Sequence, residues 1–126
     1  MYTIQNKTLG NGFKAVFHSL PEFKMVAICF FMRVGARYET KETLGLSHFI
    51  EHMLFKGSKH YSFQQISQKI EGRGGNLNAY TTEETTVIYA KVFPQDLMNT
   101  LKILKDLLFY PLFDSKEMEK ERDVIF

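Results

Sequence analysis

The amino-acid sequence predicts an α+β domain: a mostly antiparallel sheet with helices packed on one face. Three observations carry this. Two stretches of strand character flank the turn "GNG" and read as a hairpin. Further along, segments with strand character alternate with segments whose apolar residues recur at helical spacing. No Pro-rich, repeated or low-complexity stretch interrupts the 126 residues, so the segments belong to one compact unit.

The elements follow in order. "YTIQNKTL" and "FKAVFHS" form the hairpin, and "MVAICFFMRV" is a longer, nearly continuous apolar strand that places Cys29 in the core. Thr43 can cap a helix over residues 44 to 56. Ser62 can cap a second helix that carries Phe63, Ile66 and Ile70 on one side and stops in "GRGG". "NLNAYT" and "TTVIYAKVF" read as two more strands. After Pro94, Leu97, Leu101, Leu104 and Leu108 lie at helical spacing; "YPLFD" breaks that helix and Ser115 starts another.

Composition narrows the function classes. With 44% apolar residues and twelve Phe the chain has enough material for a core. Sixteen Lys and Arg against fourteen Asp and Glu give a net charge of only +2, with no basic block to track a nucleic acid. Cys29 has no partner, so there is no disulfide framework. No signal-peptide pattern opens the sequence, and no apolar run reaches the roughly 18 residues of a membrane-spanning helix. These features fit a cytoplasmic protein, and a mature protein of the mitochondrial matrix as well.

The informative stretch is "GLSHFIEHMLFKGS", residues 45 to 58. At about 100° per residue, Leu46, Phe49, Ile50 and Met53 fall on one side of a helix and His48, Glu51 and His52 on the other. Imidazoles at i and i+4 can share one Zn²⁺, and the carboxylate at i+3 can reach a water bound to it. Zinc acidifies such a water, and the Glu can accept its proton as it attacks a carbonyl. Two His and a Glu also suit a solvated helix face, but HxxEH is a named zinc-peptidase arrangement, the inverse of HExxH. "GRGGN" lacks the Lys-Ser/Thr of a phosphate loop and reads as a turn. Arg37 and Glu39 fall in a loop leading into the zinc helix, and His18 and His60 read as surface or turn residues.

With "VGARYET" before it and "GGNLNAYTTEETTVIYAKV" after it, this stretch resembles the N-terminal part of the pitrilysin-type (M16) zinc metallopeptidases, which include mitochondrial processing peptidase and insulin-degrading enzyme. The resemblance implies an M16/LuxS-like metallopeptidase domain whose first part is residues 1–126, with His48 and His52 as zinc ligands and Glu51 as general base. The family's third ligand, a Glu on a later helix, would fall just past Phe126. Family members carry another Glu two helical turns before that ligand; here the matching residue is Glu121. On the pattern alone, "KEMEKERD" reads as a solvated helix. Yet Met118, Glu121 and Ile125 share one face, and a carboxylate on such a stripe suits a partner to a ligand histidine. The resemblance also aligns Asn78, Ala79 and Tyr80 with the strand edge along which family peptidases bind an extended peptide by backbone pairing.

The implied activity is hydrolysis of short or unfolded peptides. The implied partners are the rest of the peptidase, as a C-terminal half or as a second subunit of a homodimer or heterodimer. Two His ligands leave half a tetrahedral site empty, so residues 1–126 alone are expected to hold zinc weakly and to be inactive. Two alternatives remain. One is a non-catalytic subunit of the same family, although such subunits usually lose the motif that is intact here. The other is an enzyme similar to the S-ribosylhomocysteine lyases, which use a downstream Cys as ligand; no Cys follows His52.

Overall fold

A computed structural model describes residues 3–125. Tyr2, the expected first residue of the hairpin, lies outside the described residues, as does Phe126. The chain order is β1 (Thr3–Thr8), β2 (Lys14–Ser19), β3 (Val26–Met32), α1 (Leu46–Leu54), α2 (Phe63–Ile70), β4 (Asn76–Thr81), β5 (Thr86–Val92), α3 (Leu97–Phe109) and α4 (Ser115–Ile125). Short 3-10 turns occupy Ala36–Tyr38, Glu71–Arg73 and Pro94–Asp96.

The expected antiparallel pattern is realised as two sheets. β1 and β2 form a two-stranded ribbon, and β3, β5 and β4 form a three-stranded sheet in that order. β5 is central, pairing Val92 with Val26 and Thr86 with Met32 on one side, and Lys91 with Asn76 on the other. Its central place explains why it is apolar on both faces: Val87, Ile88, Ala90 and Val92 are all buried.

Ile88, Ala90 and Val92 meet Ile66 and Ile70 of α2 and Ile103, Leu104 and Leu107 of α3 in one buried cluster. Burying an Ile or Leu side chain is worth about 1.5–3 kcal/mol, so this cluster anchors the domain. The hairpin contributes little, since every residue of β1 is exposed. A ring contact between Phe13 and Phe30, centroids 6.4 Å apart, joins it to the larger sheet.

Four expectations about the core are corrected. β3 is not buried on both faces; its burial alternates strictly, with Ile28, Phe30 and Met32 against the core. Cys29 is consequently exposed, because period two turns it to the opposite face. In α1 the packed side is shifted by a residue or so: Met53 and Leu54 are buried together with Ser47, whereas Leu46 is 43% exposed. Leu46 instead lines an open cleft of about 480 Å³ with Leu44, Phe49 and Met118, between the starts of α1 and α4. Phe63 is also exposed, because it occupies the first turn of α2 while Ile66 and Ile70 carry the contact.

Ser62 caps α2 as expected, in a reciprocal capping box with Gln65. Thr43 does not cap α1. Its hydroxyl accepts the Thr40 N–H at 2.8 Å, and the cap residue is Gly45, with φ of 84° and no side-chain acceptor. Among the described residues no helix is long and apolar enough to cross a membrane.

The loop after α1 is fastened by a buried carboxylate. Asp106 on α3 accepts the Ser58 hydroxyl at 2.5 Å, the His60 N–H at 3.0 Å and the His60 ring at 2.7 Å. His60 is exposed as expected, but it is tied down. Burial pushes the Asp106 carboxyl up, yet the donors from Ser58 and His60 outweigh it and hold the group below the usual aspartate range. A lowered folded pKa adds stability that is present above the unfolded value and lost as pH falls through the folded one. Asp106→Asn is therefore expected to cost about 1–3 kcal/mol at neutral pH. In urea titrations that difference should shrink steadily below about pH 4; a pH-independent difference would show that the charge on Asp106 is irrelevant.

Candidate metal centre

α1 carries the histidines on its polar side. His48 Nε2 and His52 Nε2 stand 3.0 Å apart with the rings edge to face, centroids 4.5 Å apart. Glu121 of α4 closes on the pair from behind: its Oε1 lies 2.6 Å from His52 Nδ1, and its Oε2 accepts from Lys56 Nζ at 2.8 Å. Glu121 is buried, in contrast to the charged run around it. Lys56 and then His52 hold its carboxyl below the ordinary glutamate range, against the upward push of desolvation. A carboxylate on Nδ1 favours the tautomer with the proton there, which leaves the Nε2 lone pair facing His48.

Two imidazole nitrogens facing one point are suited to a zinc ion, for which they supply half of a tetrahedral donor set. Among the described residues no third His, Cys, Asp or Glu completes the group. The pair is thus compatible with zinc and insufficient for a closed site.

Glu51 is placed on the sheet side of α1. The Thr81 hydroxyl at the end of β4 donates to its Oε2 at 2.7 Å, and Oε1 has no hydrogen-bond partner among the described residues. Thr81 lies 3.4 Å from the hydroxyl of buried Thr86, which donates to the Val34 carbonyl at 2.9 Å. Glu51 is thereby tied to the hairpin of β4 and β5.

β4 is an edge strand, so one of its sides offers unpaired backbone groups. Alternation divides the three expected peptide-binding residues. Ala79, like Leu77, packs towards the core, while Asn78 and Tyr80 are exposed on the other face. Tyr80 leans towards Tyr89, centroids 6.3 Å apart, and Asn78 Oδ1 accepts the Ala79 N–H at 2.8 Å. The three side chains do not converge; what they share is the open edge.

Three residues around the site were given no role in it by sequence. Lys56 follows His52 by one helical turn, a spacing that is itself a signal. Thr81 lies within a strand already expected but without an assigned role. Glu39 accepts the Gly45 N–H on Oε2 and the Ser47 N–H on Oε1, both at 2.7 Å. The Ser47 backbone, the Ser47 hydroxyl and the Gly45 backbone hold its carboxyl below the usual range.

Known proteins resemble this chain in sequence and in fold. The family model described as Insulinase (Peptidase family M16) matches residues 14–126. A Bacillus subtilis strain 168 protein designated "Uncharacterized zinc protease YmxG" is 38% identical over 123 residues, covering 98% of this chain and 30% of that protein. The mitochondrial-processing peptidase subunit beta of Saccharomyces cerevisiae is 38% identical over 117 residues, 93% of this chain and 25% of its own. The crystal structure of pitrilysin superposes with a TM-score of 0.85 at 29% identity, over 98% of this chain and 13% of that one. The chain therefore spans less than a third of the length of these relatives.

Proposed function

This chain belongs to peptidase family M16, and on that premise we propose that it is the N-terminal, histidine-bearing part of a zinc metallopeptidase acting on short or unfolded peptides. The observation that carries the reading is the convergence of His48 Nε2 and His52 Nε2 at 3.0 Å with Glu121 behind His52. His48 and His52 would hold the zinc, and a third ligand would come from a part of the protein beyond residue 126. Zinc held there supplies Lewis acidity, acidifying a water and drawing electron density from a carbonyl oxygen.

The chain's own residues account for the remainder. Thr81 keeps Oε2 of Glu51 occupied, so Oε1 is the atom that takes a proton from the attacking water. The water oxygen bonds to the carbonyl carbon, the C–N bond breaks, and the same carboxyl returns the proton to the leaving amine. Glu121 fixes the tautomer and ring plane of His52. The open edge of β4 pairs with a peptide backbone in extended form, which selects unfolded segments over folded ones. By the same reading residues 1–126 alone hold zinc weakly, and tight binding and turnover belong to the longer protein, with a second half or partner subunit completing it.

The test is metal removal. The full-length protein should cleave a quenched extended peptide, lose that activity on treatment with a chelator, and regain it with one equivalent of zinc. Cleavage that survives complete chelation, with zinc absent by elemental analysis, would overturn the reading in favour of metal-independent chemistry. A protein that binds zinc and cleaves no peptide would favour a non-catalytic subunit.

A further inference from the structure

Resting on the zinc reading just given, we propose that Glu39 is a positioning residue for His48: its carboxylate clamps the first turn of α1 to the β4–β5 hairpin and so sets where that imidazole stands.

The two histidines are supported unequally. His52 is gripped at Nδ1 by Glu121, which Lys56 holds in turn. His48 is exposed, and its one polar partner among the described residues is His52 itself. Its position therefore depends on its backbone, and it is the third residue of the helix. First-turn amides have no intrahelical acceptors, and an unsupported first turn frays.

Gly45 cannot supply the missing acceptor, because it has no side chain and sits in the left-handed region. Glu39 supplies it from six residues upstream. It takes one N–H on each carboxylate oxygen, and its negative charge lies at the positive end of the helix. One of those amides belongs to Ser47, which is buried and adjoins His48.

Glu39 is itself rooted in the sheet. The turn Ala36–Tyr38 hangs on the β4–β5 connection: the Arg37 N–H donates to the Glu83 carbonyl at 2.8 Å, and the Arg37 guanidinium pairs with Glu84. Gly35 passes so close that a Cβ there would lie 2.5 Å from the Thr82 carbonyl oxygen. That same hairpin holds Glu51 through Thr81. A cap on residue 45 would fasten the turn only to itself, whereas Glu39 fastens it to the element that orients the base.

The experiment compares full-length wild type with Glu39→Ala, Glu39→Gln and, as a control, Ile103→Val in the distant core. Zinc affinity is measured by competition with a chromophoric chelator, and amide exchange of residues 45–48 is measured in metal-free protein. Glu39→Ala should weaken zinc roughly tenfold or more and speed exchange at Ser47 and His48. Glu39→Gln, which keeps one acceptor, should fall between, and it remains informative if the Ala variant does not fold. Ile103→Val should lower the melting temperature without either effect. Wild-type zinc affinity in Glu39→Ala, or equal weakening in Ile103→Val, would overturn the proposal. Absence of zinc binding by wild type would instead sink the zinc reading, and unchanged amide exchange in Glu39→Ala would then still overturn the clamp.

Discussion

Glu51→Gln in the full-length protein is expected to lower kcat/KM for an extended peptide by about 10²–10⁴-fold, the usual contribution of a positioned general base. That corresponds to about 3–5 kcal/mol of transition-state stabilisation. The substitution keeps the shape of the side chain and a group that can face Thr81, so bound zinc and melting temperature should stay at wild-type values. The missing function is narrow: an amide at Oε1 cannot accept the proton of the attacking water. Cleavage within tenfold of wild type at unchanged zinc content would mean that another group serves as base. Loss of zinc along with activity would mean that Glu51 supports the metal rather than the proton.

The second large effect is expected at Glu121. Its carboxylate meets His52 on one oxygen and Lys56 on the other, at 2.6 and 2.8 Å. Glu121→Ala removes the acceptor that holds the His52 proton on Nδ1, so the ring can turn and change tautomer. Zinc affinity should fall about 10–100-fold, the range seen when an outer partner of a ligand is lost. Lys56→Met should cost less, since it leaves the contact between Glu121 and His52 in place. Isothermal titration with zinc would decide. Equal effects of the two substitutions would indicate that the lysine charge, and not the orientation of His52, is what matters.

The parts of this molecule that were legible in sequence are those fixed by short-range rules. Helical spacing puts His48 and His52 on one face, Ser62 marks the start of α2, and strand-forming residues mark β4 and β5. The misread parts are those decided at long range. Thr43 is a sound cap by local criteria, but the acceptor in use is Glu39, which the β4–β5 hairpin puts in place. Cys29 looked buried because an apolar run hides its own alternation, and only the pairing of β3 with β5 shows which side has a partner. Glu121 is the converse case. Its charged neighbours suggest a solvated helix, whereas the stripe it shares with Met118 and Ile125, together with the resemblance, points to a partner for a histidine; α4 lies on α1 so that it meets His52 and Lys56.

The pairing of β3 with β5 also orders events in time as the chain is made. Residues 26–32 meet residues 86–92, and α1, α2 and β4 all lie within the loop that this meeting closes. Closing a loop of that size costs entropy before any contact inside it is rewarded. On a ribosome the two histidines emerge well before β5, and the carboxylate that steadies His52 stands 69 residues further on. For that interval His52 has no carboxylate at Nδ1, and the pair stands on an unanchored segment. The orientation of His52 is thus set late, when α4 docks.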